Sequence, residues 1–130
     1  MTKRPEDSGN SMLWIVGHLT TYRYVICKYL GTELRRPFPD LFIRGVRFDP
    51  AANYPEIGEL LGYWNDISKR LTRAFDEVTE SQLATPIERT FPGVSQTVHG
   101  AVSFLHFHES YHVGQLAYVR RLLKHSQLVG

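Results

Sequence analysis

Apolar residues recur every three or four positions in three stretches of the chain, and lose that rhythm between them. The first stretch opens at Asn10 and Ser11, side chains suited to capping free helix N–H groups. Ile15, Leu19, Tyr22, Ile26 and Leu30 then share one helical face. Gly31 marks its end, because glycine takes the left-handed conformation that closes a helix. The second stretch opens at Pro55, which fits a first helical position. Its stripe is Ile57, Leu60, Leu61, Trp64, Ile67, Leu71, Ala74, Phe75 and Val78, with Glu56, Glu59, Asp66, Lys69, Arg70 and Arg73 opposite. Ser95 caps the third, which runs to about Lys124 with Val98, Ala101, Val102, Leu105, Leu116, Val119 and Leu123 on one side. Arg120, Arg121 and Lys124 lie where a helix C-terminus favours cations.

The interruptions differ in length. Residues 32–54 hold Pro37, Pro39, Pro50 and Gly45 and read as an extended loop. Within it, 41–48 has the composition of a strand, but nothing else in the chain offers a partner. The expectation is a packed connector pinned by Phe38, Phe42 and Phe48, with a binding segment or lid as the alternative. Thr85-Pro86 and Phe91-Pro92-Gly93 mark a shorter turn. The pattern predicts an all-α, up-down helical bundle of three long helices in a single domain, 1–130, with a polar tail at 1–9.

Composition narrows the function classes. A formal net charge of +2 is too small to argue for nucleic-acid or membrane binding, so neither is expected as a partner. A single cysteine, Cys27, excludes an internal disulfide and reads as a buried apolar filler. With no apolar run long enough for a membrane span, the chain is expected in the cytoplasm.

Histidine changes the picture. The apolar stripe of the third helix passes from Leu105 through His108 and His112 to Leu116. Two imidazoles four residues apart project together from adjacent turns, the spacing with which a helix grips one metal ion. The same pair can also be two core histidines with water or carbonyl partners. His18, beside Gly17 on the first helix, is the candidate third ligand, or else an interfacial histidine. Three such ligands from two facing helices leave a metal open to substrate. His108-Glu109-Ser110-Tyr111-His112 matches the H-E-x-x-H peptidase signature. However, Gln115 and Tyr118 stand where its extended form needs glycine and histidine, and the chain offers no substrate strand. His106 lies about 200° around the helix from His108, and His99 and His125 have no companions at ligand spacing. Arg35-Arg36 and Arg44/Arg47 either hold an anionic substrate or solvate the loop.

Two segments carry a resemblance. Asn10 to Leu19, containing Trp14 and His18, and His108-x-x-x-His112-x-Gly114-Gln115 in the last helix resemble the DinB/YfiT-like superfamily of metal-binding four-helix bundles. Their order and separation match as well. The resemblance implies His18, His108 and His112 as ligands of a divalent metal ion, zinc or nickel. It also implies a low-molecular-weight thiol as co-substrate, as in the family's S-transferases and thiol-dependent isomerase. A family member carries a further helix ahead of this first segment, where this chain has nine polar residues.

The expected function is a metal-dependent enzyme acting on a small molecule as transferase, hydrolase or isomerase. The metal would lower the pKa of a thiol or water, and Tyr22, Glu109 and Gln115 would orient that ligand by helical spacing. The alternative is a non-catalytic metal-binding or protein-interaction module. A groove lined by Trp14, Ile15, Leu61 and Trp64, shaped for a further helix, predicts self-association as a homodimer.

Overall fold

The computed structural model describes residues 11–127; the polar stretch 1–9 lies outside them. Helix α1 spans Met12–Tyr29, α2 Ile57–Glu77, α3 Glu80–Leu83 and α4 Val98–Leu122. Among the described residues no strand forms, and Pro86 and Thr97 make an isolated bridge. The all-α helical bundle expected from the hydrophobic rhythm is present. No described helix is long and apolar enough to cross a membrane.

The ends follow local chemistry. Ser11 Oγ accepts the Trp14 N–H at 3.1 Å, and Gly31 just past α1 has φ +94°. α2 begins later than Pro55: the proline is buried in the extended lead-in and Glu56 is the N-cap. The cap of α4 is Thr97 rather than Ser95. Its Oγ1 accepts the Gly100 N–H at 3.2 Å, while Ser95 Oγ pairs with the Thr97 hydroxyl at 2.9 Å. The single turn α3 has no apolar stripe to announce it. A reciprocal capping box holds it, with Thr79 N–H donating to Gln82 Oε1 at 2.8 Å and Gln82 N–H to Thr79 Oγ1 at 3.1 Å.

α1 is the central element, buried nearly all round rather than on one face, with α2 and α4 packed on it but not on each other. Its first half packs with Leu60, Leu116 and Phe42, and its second half with Ile67, Leu71, Ala74, Ala101 and Leu105. α4 is therefore antiparallel to α1, whereas α2 runs in the same sense. The first junction is a crossover and not an up-down turn; a long connector permits this where a short one would not. That connector is packed, as expected: Phe42 is buried inside, with Phe38 edge-on to it and Phe48 stacked on Tyr54.

The expected stripes need correction at their margins. Leu61, Phe75 and Leu123 are exposed, because α2 and α4 each have only one helical neighbour along most of their length. The expected apolar groove also differs. Trp14 and Ile15 are buried, and the Arg23 guanidinium covers Trp64 at 3.6 Å, so of the four only Leu61 is open. Apart from Phe75 on α2, the exposed large aromatics among the described residues lie on α4, at Phe107, Tyr111 and Tyr118.

Candidate metal centre

His18 stands midway along α1, facing His108 and His112 on successive turns of α4. His108 Nε2 lies 3.1 Å from His18 Nε2 and 3.1 Å from His112 Nε2. One ligand atom from each falls within 4.8 Å of the others. A tetrahedral zinc ion with bonds near 2.0–2.1 Å spaces its nitrogens by about 3.3 Å, close to the two separations that involve His108.

The remaining ring nitrogens set the tautomers. His18 Nδ1 donates to the Phe42 carbonyl at 2.6 Å. His112 Nδ1 donates to Gln115 Oε1 at 2.6 Å, and the Gln115 amide is oriented by donating its Nε2–H to the Tyr111 hydroxyl at 3.3 Å. Both rings therefore present an unprotonated Nε2 to His108. His108 Nε2 carries at most one hydrogen and satisfies only one of them. A lone pair is left without a partner, and a divalent cation would fill all three.

Burial keeps the rings neutral. It lowers His18 from 6.5 to about 4, opposed by the Phe42 carbonyl and reinforced by the other two imidazoles. His108 falls to about 4 through burial, then the nearby His112 and Arg44, with Glu109 opposing. His112 is lowered by burial, against its bond to Gln115. Neutral imidazole is the metal-binding form.

Aromatic walls fix the rings. Trp14 stacks on His18 with centroids 4.5 Å apart, and Tyr22 lies 4.7 Å from the ring centroids of both His18 and His108. A cavity of about 340 Å³ opens over the histidines, lined also by Arg44, Arg89, Phe104 and Tyr111.

A family model described as the DinB superfamily matches residues 1–116. The chain belongs to the DinB superfamily. No curated protein and no solved structure matches it. Within this DinB bundle, His18 comes together with His108 and His112 from 90 or more residues away. Of the three expected orienting residues, Tyr22 packs beside the cluster and Gln115 holds His112. Glu109 turns away: both carboxylate oxygens accept from Arg23, at 3.0 and 2.5 Å. That engagement removes the free base a peptidase reading would need. His99, His106 and His125 are exposed and outside the cluster. Arg35 and Arg36 line a separate hollow with Phe38 and Tyr63, while Arg44 reaches the metal-centre cavity.

Sequence reasoning missed the Phe42 carbonyl, Arg23 and Arg89. Gly17 was the signal for the first. A Cβ there would run into the Phe42 ring, so glycine lets the connector close on His18. Arg23 and Arg89 carry no local signal, since each works across elements.

Proposed function

We propose that this DinB chain is a divalent-metal-dependent enzyme in which His18, His108 and His112 hold zinc or nickel. The reaction is thiol-dependent S-transfer, or a related hydrolysis or isomerisation, on a small molecule. The observation that supports it best is the convergence of three neutral Nε2 atoms, two with the opposite ring nitrogen tied to an oxygen acceptor. A bound divalent ion supplies Lewis acidity, lowering the pKa of a thiol or water in its open position. The chain's residues do the rest. The Phe42 carbonyl and Gln115 hold two ligands in one tautomer. Trp14 and Tyr22 restrict ring motion and exclude bulk water, and Arg23 positions α4 through Glu109.

Metal analysis of untagged protein tests this. About one divalent ion per chain is expected, lost in the His108→Ala/His112→Ala double variant with helix content retained. Substoichiometric metal that the double variant does not change overturns it. The exposed aromatics of α4 favour a second reading, a non-catalytic metal-binding or interaction module. Cobalt(II)-loaded protein separates the two: a spectrum altered by 2-mercaptoethanol marks an exchangeable position, and one indifferent to thiols favours the module.

A further inference from the structure

The wall of the metal-centre cavity is electrostatically one-sided. Arg44, from the connector between α1 and α2, and Arg89, from the loop between α3 and α4, both line it together with the three histidines, and among the described residues no Asp or Glu does. The nearest carboxylate in sequence, Glu109, is neutralised by Arg23. Arg44 is near enough to His108 to oppose its protonation, and the Arg89 guanidinium stands over the ring of Phe91, itself a lining residue, 4.8 Å from its centroid. Among the described residues neither arginine has an ion-pair partner. A divalent ion on three neutral imidazoles keeps its full charge, so the loaded cavity would be strongly cationic, with no described side chain in its wall to balance it. Two polar atoms of lining residues add to this. Trp14 Nε1 and His108 Nδ1 are buried without a hydrogen-bond partner among the described residues, and both are N–H donors once His108 Nε2 is coordinated.

We infer that the cavity takes a small substrate bearing an oxyanion, carboxylate or phosphate, which Arg44 and Arg89 bind while another atom of the substrate faces the three-histidine centre. The inference rests on the metal-centre reading and names the substrate class of that same site. Guanidinium forks pair with both kinds of oxyanion, and the cavity volume suits a metabolite-sized molecule rather than a polymer.

Cobalt(II)-loaded full-length chain provides the test, its visible absorption reporting the metal independently of any anion. Titration with succinate and with inorganic phosphate is expected to give a saturable spectral change that weakens with salt, with the tighter of the two naming the oxyanion. The uncharged diamide of succinate is expected to give none. Arg44→Ala and Arg89→Ala should each weaken anion binding about tenfold while cobalt is still bound at least as tightly, since each removes a positive charge near the ion. Lysine at either position should restore part of the loss. Absence of a cobalt spectrum defeats the metal reading and this inference together. A normal cobalt spectrum defeats the inference alone if anions do not alter it, if the diamide binds equally, or if both variants bind anions like the parent.

Discussion

Gly17 has no side chain, and the Phe42 ring occupies the space one would need. This contact delivers the Phe42 carbonyl to His18 Nδ1, so a glycine in α1 helps determine the tautomer of a candidate metal ligand. Gly17→Ala should cost about 1–3 kcal/mol in thermal or denaturant unfolding, as overpacking does, and weaken metal binding in chelator competition. On the other side of the centre, Gln115→Leu removes the acceptor for His112 Nδ1. Metal affinity is expected to fall about 10- to 100-fold with the fold unchanged, and an unaltered affinity would show that Gln115 does not support the ligand. Protons should oppose both folding and metal. Burial brings His18 and His108 from 6.5 to about 4, so the unfolded chain binds more protons between those values. The histidine contribution to the stability of metal-free protein is complete above about pH 6.5 and is lost as pH falls through about 4. Melting temperature should therefore drop with pH across that window, and bound metal should be released toward its lower end.

α1 is flanked by α2 and α4, which do not pack on each other, and Arg23 crosses the space between them. Its guanidinium stacks on the face of Trp64, donates to Ser68 Oγ at 2.5 Å and grips Glu109 with two bonds. Glu109 adjoins His108, so this latch ties α4 to α1 and α2 beside the histidine cluster. Arg23→Met leaves a largely buried carboxylate unpaired, which should lower stability by about 1–3 kcal/mol. Pairing it with Glu109→Gln should recover part of that loss, and strictly additive effects in the double-mutant cycle would show that the two do not act together. The same bidentate grip ties Glu109 to α1 although it stands in an H-E-x-x-H pattern.

Over the whole molecule, the apolar surface left open is concentrated on α4. Phe107, Tyr111, Tyr118 and Leu122 follow one another by four, seven and four residues, along a single face. Gly114 lies within this run with open space beside it, room for a second helix to approach. We expect the chain to self-associate through this face, most simply as a two-fold dimer. Sedimentation at micromolar concentration should show the dimer, and Phe107→Lys/Tyr118→Lys should sediment as a monomer. A parent chain that stays monomeric and binds no hydrophobic dye would rule this assembly out.

The three long helices and the pairing of His108 with His112 were readable from the chain because both depend on helical periodicity, which acts within one or two turns. His18 entered as a ligand through the combination of two segments, since no local rule joins residues 90 positions apart. Other features had no trace in periodicity: the direction of α2, the Phe42 carbonyl 24 residues from His18, the Arg23–Glu109 latch spanning 86 residues, and Arg89 in the cavity wall. Each arises only when elements dock. An amphipathic stripe specifies that a face will be buried, but the partner and its direction depend on how side chains of all the elements fill one core. The Phe42 ring over Gly17 is such a fit, and it links the hydrophobic packing of the connector to the tautomer of His18.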